Sequence, residues 1–147
     1  MATKFRLTVD CANPERLIRF WTETLGYKVE GPPGGFDSWW SYWKSRGLPD
    51  EENYAENDSI FDPSGAGPRI WFHQVPEKKV VKSRLHLDLH ESEGREAPRD
   101  IRKKQVDAAA ERLVALGAEI LEISDDPEID HYGVLMRDSE GNEFDVN

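Results

Sequence analysis

A chain of 147 residues is long enough to bury an ordinary hydrophobic core without disulfides or a structural metal. Its 29 acidic residues outnumber the 19 basic ones, for a formal net charge of −10, and no lysine- or arginine-rich stripe interrupts that surplus, so duplex nucleic acid and anionic membranes are excluded as partners by repulsion. The single cysteine, Cys11, rules out an internal disulfide framework and suits a reducing cytoplasm; no apolar run approaches the roughly 18 residues needed to span a bilayer.

Phe5 to Cys11 is a β-rich run. Asn13 can cap a helix and Pro14 can occupy its first turn, with Leu17, Ile18, Phe20, Trp21 and Leu25 forming an apolar stripe and Gly26 ending it. Tyr27 to Glu30 reads as a strand. Ile60-Phe61-Asp62-Pro63-Ser64-Gly65 is a strand closing on a turn signal, and Arg69 to Val75 is the strand that follows.

The same order recurs in the second half. Arg84 to Leu89 alternates as a strand, and Val106, Ala109, Ala110, Leu113 and Leu116 take helical spacing, with Gly117 after them. Ala118 to Ile123 follows as a strand, so Leu116-Gly117-Ala118 repeats the place of Leu25-Gly26-Tyr27. Leu135 to Gly141 and Asn142 to Val146 repeat the strand, turn and last strand. A repeat of half the chain indicates a duplicated supersecondary unit rather than a solenoid. The expectation is one α+β domain over 1–147, built from two βαβββ modules, about 1–78 and about 79–147, with curved mixed sheets around a shared cleft.

Two insertions break the symmetry. Gly31 to Asp58 holds Phe36, Trp39, Trp40, Tyr42 and Trp43, with a short helix expected within Asp37 to Arg46; it reads equally as a ligand wall or lid and as core or dimer packing. Its acidic stretch, Asp50 to Asp58, lacks EF-hand spacing and reads as solvated surface. His90 to Gln105 begins with a stretch poor in apolar residues, Glu91 to Asp100, expected to be a mobile loop leading into the second helix through Ile101 to Gln105. Dinucleotide-binding glycine patterns, a Walker loop, a nucleophile elbow and Cys-x-x-Cys are all missing.

The segments Val9-Asp10-Cys11-Ala12-Asn13-Pro14-Glu15-Arg16-Leu17, Phe20-Trp21, Leu25-Gly26-Tyr27, Lys82-Ser83-Arg84-Leu85-His86-Leu87-Asp88-Leu89 and Asp138-Ser139-Glu140-Gly141-Asn142-Glu143-Phe144 resemble, in order and spacing, the glyoxalase-like branch of the vicinal oxygen chelate superfamily. That superfamily includes glyoxalase I, bleomycin-resistance proteins and extradiol dioxygenases. The resemblance implies a small-molecule ligand, a homodimer, and a divalent metal held by one residue from the first and one from the last strand of each half, commonly His and Glu. Here the first-strand place falls on Arg6, a cation; its second-half counterpart is His86; the final carboxylate falls on Asp145; and the end of the first half offers His73 or Trp71.

Three functions are open on these residues. One is a metal-independent, bleomycin-resistance-like binder using Arg6, Thr8, Asp10, Trp39, Trp40, Trp43, Trp71 and Asp88 around an anionic or aromatic ligand. Another is a metal-dependent lyase, isomerase or dioxygenase with iron, manganese or zinc on His73, His86 and Asp145. The third is a metal-free enzyme with His86 as catalytic acid–base and Arg6 stabilising an oxyanion. The ordinary alternative for His86 is a half-buried strand residue bonded to a backbone carbonyl.

Overall fold

The computed structural model describes residues 2–48 and 57–147; of the acidic stretch beginning at Asp50, only Asn57 and Asp58 fall within the described residues. The chain divides into two compact units, Met1–Lys78 and Lys79–Asn147.

The first unit runs β1 (Leu7–Cys11), α1 (Pro14–Leu25), β2 (Lys28–Val29), α2 (Trp39–Ser45), β3 (Ser59–Phe61) and β4 (Ile70–Gln74). Its sheet has the order β1-β4-β3-β2, with β1 parallel to β4 and the other pairs antiparallel. Local chemistry sets α1: Asn13 accepts from the Arg16 amide, Pro14 starts the helix, and Gly26 ends it at φ 66°, a left-handed conformation that glycine adopts without a Cβ penalty. The helix packs on β2, β3 and β4. Leu17, Ile18, Phe20 and Trp21 lie buried there with Ile60, Ile70, Phe72 and Cys11. Strand alternation therefore sends Ile70 and Phe72 into the core and Trp71 and His73 to the opposite face.

The second unit runs β5 (Asp88–Leu89), α3 (Arg99–Ala115), β6 (Glu119–Asp126), β7 (His131–Arg137) and β8 (Glu143–Val146), in the sheet order β5-β8-β7-β6. Here β5 is parallel to β8 and the remaining pairs are antiparallel. Val106, Ala109, Ala110 and Leu113 of α3 are buried with Leu89, Val134, Met136, Phe144 and Val146. Full burial of an aliphatic side chain of this size contributes about 1.5–3 kcal/mol. Phe144 and Val146 face that core, so Glu143 and Asp145 face the other way.

Two mixed four-stranded sheets with their helices make the expected α+β fold of two modules. Two boundaries depart from the sequence reading. Only Asp88–Leu89 of the expected Arg84–Leu89 strand is paired, because β5 is an edge strand with β8 as its one neighbour, and Leu85 before it is 88% exposed. The helix expected from Val106 already begins at Arg99; its first turns are charged, yet Arg102 is buried there with its Nε donating to Ala97 O at 3.0 Å. Nor is the preceding stretch a detached loop. The Glu91 amide donates to Asn147 O at 2.8 Å, the Glu93 amide to Gln105 Oε1 at 3.0 Å, and Arg112 pairs with Glu91 at 2.8 Å.

Candidate functional site

In the first unit, parallel pairing sets Thr8 beside Trp71 and Asp10 beside His73. Just before β1, the Arg6 guanidinium lies 5.5 Å from the centre of the Trp71 ring, whose indole N–H donates to Asp58 Oδ2 at 2.8 Å. Trp71 and His73 share a face, with ring centres 4.6 Å apart. Nδ1 of His73 is 3.0 Å from Asp10 Oδ1.

The aromatic insertion folds as the expected short helix. Ser38 and Ser41 cap it reciprocally, and the Trp39 indole donates to Glu30 O at 3.0 Å, tying α2 to the end of β2. Trp39 and Trp43 stack at 5.9 Å, and Tyr42 meets Trp43 edge-on at 4.8 Å. Arg6, Trp39, Tyr42, Trp43, Trp71 and His73 line a cavity of about 650 Å³, a size ordinary for small-molecule sites.

A polar frame supports this cavity. Arg69 donates to Glu30 Oε2 through Nε at 2.8 Å and Nη2 at 2.5 Å, and to Ser59 Oγ at 2.7 Å, while Ser59 donates to Asp58 at 2.7 Å. Arg69 is therefore tied to Glu30 and Ser59 through Nε and Nη2, whereas Arg6 makes no ion pair among the described residues. Sequence reasoning missed Glu30, Asp58 and Arg69 as wall residues; the available signal was Arg69 at period two before Trp71. Of the residues expected to bind ligand, Thr8, Asp10 and Trp40 do not line this cavity. Asp10 is turned to His73, and the Trp40 ring lies under Lys44 at 5.7 Å.

In the second unit, the sheet register aligns Asp88, Asp145, Leu135 and Glu122 across all four strands. Nδ1 of His86 lies 2.8 Å from Asp145 Oδ2 and 3.2 Å from Asp88 Oδ1. The ordinary alternative for His86, a bond to a backbone carbonyl, gives way to contact with two carboxylates. Ligating atoms of His86, Asp88 and Asp145 fall within 4.8 Å of one another, so the third member of this group is Asp88. His73 belongs to the first unit and sits on Asp10.

The segment leading to His86 is clamped from β8. Glu143 takes the Ser83 amide at 2.7 Å and Lys79 at 2.9 Å, and its own amide donates to Ser83 Oγ at 3.3 Å. Hydrogen bonding from Ser83 and then Lys79 pulls the Glu143 carboxyl from its ordinary 4.5 down to about 2. A cavity of about 370 Å³ beside His86 adds Glu122, Ser124, His131 and Gly133 to the site. Glu122 escaped the sequence reading because a one-residue register shift between Ile120 and Glu122 resets the alternation of β6, and His131 because β7 begins four residues before the expected start at Leu135.

A family model described as a glyoxalase-like domain matches residues 6–147. No curated protein matches the chain. Among solved structures, the chain is similar to a variant of the fosfomycin resistance protein FosX from Listeria monocytogenes, complexed with manganese(II) and dihydroxypropylphosphonic acid, with a TM-score of 0.62 at 12% identity over 100% of this chain and 90% of that one. A hypothetical protein from S. aureus gives a TM-score of 0.61 at 12% identity, covering 99% and 93% of the two chains. A member of the glyoxalase/bleomycin resistance protein/dioxygenase superfamily from Sphaerobacter thermophilus gives 0.56 at 16% identity, covering 99% and 96%. At these identities the structural likeness is one of fold. The doubled strand order is the fold of solved members of the glyoxalase/bleomycin resistance protein/dioxygenase superfamily, and with the family model spanning nearly the whole chain, the chain belongs to the glyoxalase-like domain family.

Proposed function

We propose that the chain is a small-molecule-binding member of this family whose first unit takes a planar ligand bearing an anionic group, with no metal ion in that unit. The observation that carries this reading is Arg6 above Trp71 at the wall of the aromatic cavity. Aromatic faces of Trp39, Trp43 and Trp71 suit a flat apolar body. An arginine not already spent on a carboxylate suits a ligand oxyanion, and it repels the divalent cation that a histidine at this place would help to hold. A tryptophan-fluorescence titration in the presence of chelator tests the reading. Aromatic carboxylates are expected to quench saturably and more tightly than aromatic amines of the same shape; preference for the amines contradicts it.

A second reading is favoured by the convergence of His86, Asp88 and Asp145. One imidazole nitrogen and two carboxylate oxygens are the donor set that suits iron(II), manganese or zinc, and the three residues fit such an ion as a partial ligand set. A bound ion would polarise a substrate oxygen there. In its absence the same contacts hold the His86 ring with Nδ1 toward the carboxylates, leaving Nε2 to act as acid–base. Elemental analysis of protein purified without chelator separates the two: about one ion per chain, lost in Asp145→Ala, supports the metal centre, and no ion removes it.

A further inference from the structure

The second unit carries another cavity, of about 450 Å³, that shares only His131 and Asn147 with the lining of the one beside His86. It is walled by the 90–95 stretch, by Arg102 and Val106 of α3 and by Asp130 to Tyr132 at the start of β7. The wall is held in place by the hydrogen bonds from Glu91 to Asn147 and from Glu93 to Gln105, so the cavity is formed before any ligand arrives.

Its lining sets two guanidinium groups, Arg95 and Arg102, against two carboxylates, Asp130 and Glu93, and of these Asp130 occupies Arg102. Arg102 is only 8% exposed; its Nε goes to Ala97 O and Nη2 to Asp130 Oδ1 at 2.5 Å, while Nη1 makes no bond among the described residues. Arg95, also at the wall, has no hydrogen bond or ion pair among the described residues. The Asp130 carboxyl is held low by the Arg102 hydrogen bond, with the Arg99 and Arg95 charges adding to the effect. Asp130 is the sole non-glycine with positive φ, at 52°, among the described residues, a left-handed turn conformation that aspartate tolerates better than most side chains. Beside it lies a defect: Nε of Arg99 is buried with no hydrogen-bond partner, 3.7 Å from Asp130 Oδ1.

We infer that this cavity is a site for a small organic carboxylate, which pairs with Arg95 and Arg102 and releases Asp130 to the buried Nε of Arg99. The exchange leaves each carboxylate on a guanidinium and satisfies the orphaned donor, whose burial without a partner otherwise opposes folding. The ligand thus competes with an internal group rather than with water alone, and the exchange is independent of the first unit's cavity and of any metal at His86.

Two-dimensional amide NMR of the full chain, titrated with succinate, benzoate and ethylammonium, tests the inference. The carboxylates are expected to give saturable shifts at Glu93 to Arg95 and Asp130 to Tyr132, and ethylammonium none. Arg95→Gln, an exposed substitution that leaves the core intact, weakens the response by about tenfold; Arg6→Ala leaves it unchanged. Absent or unsaturable shifts, an unaltered response in Arg95→Gln, or shifts confined to the first unit would each overturn the assignment.

Discussion

Glu143→Gln tests the clamp that positions His86. The native carboxylate accepts the Ser83 amide and pairs with Lys79, and these contacts hold its pKa at about 2 rather than 4.5. Glutamine keeps an acceptor for the amide but loses the charge. A hydrogen bond to a charged group contributes about 1.5–3 kcal/mol, and with the Glu143 side chain 13% and the Lys79 side chain 24% exposed water screens part of it, so the substitution costs about 2 kcal/mol at neutral pH. A carboxyl whose pKa is depressed by folding stabilises the protein fully above the unfolded value and loses that contribution as pH falls toward the folded one. The gap between native protein and variant is therefore constant above about pH 5, narrows between 4.5 and 2, and closes below. Urea denaturation of both proteins at stepped pH measures it through the midpoint. A gap that persists unchanged to pH 2, or none at neutral pH, would refute the reasoning.

Two further perturbations have definite outcomes. A Cβ at Gly67 would lie 2.0 Å from the Tyr27 hydroxyl, so Gly67→Ala is expected to cost about 1–3 kcal/mol by thermal denaturation, most of it recovered in a Tyr27→Phe background where that oxygen is gone. Trp43→Ala removes the ring stacked on Trp39 and part of the cavity wall; it is expected to weaken aromatic-ligand binding by about tenfold in a fluorescence titration.

The elements were legible where local chemistry sets them. Asn13, Pro14 and Gly26 mark both ends of α1, and the recurrence of strand, helix, Leu-Gly and strand discloses the duplication that the two sheets embody. Long-range pairing was not. Arg84 to Leu87 alternates like a strand, yet a ladder needs a neighbour, and the register with β8 covers Asp88 and Leu89, with the Asp145 amide reaching back no further than Leu87 O. The charged start of α3 reads as loop because its buried residue is an arginine, bonded through Nε to Ala97 and through Nη2 to Asp130, a partner 28 residues on that periodicity does not see.

Site residues divide the same way. Arg6, Trp71, His86 and Asp145 were singled out by the family resemblance; alternation fixes the face of Trp71 and Asp145, whereas Arg6 and His86 lie just before the strands the sequence assigned them to. Partner choice across strands lay beyond the sequence: that Asp10 turns to His73 and that Arg69 is spent on Glu30 while Arg6 is not depend on register between strands distant in the chain, whereas the nearness of Asp88 to His86 was legible from their spacing of two.

The most direct test of the central claim is calorimetric titration of naphthoate, and of its uncharged methyl ester, into native protein and Arg6→Ala with chelator present. If Arg6 over Trp71 receives the anion, naphthoate binds the native protein about tenfold more tightly than the variant, and the ester binds both alike. Equal naphthoate affinity in the two proteins, or binding that appears only when a divalent metal is supplied, would contradict the account.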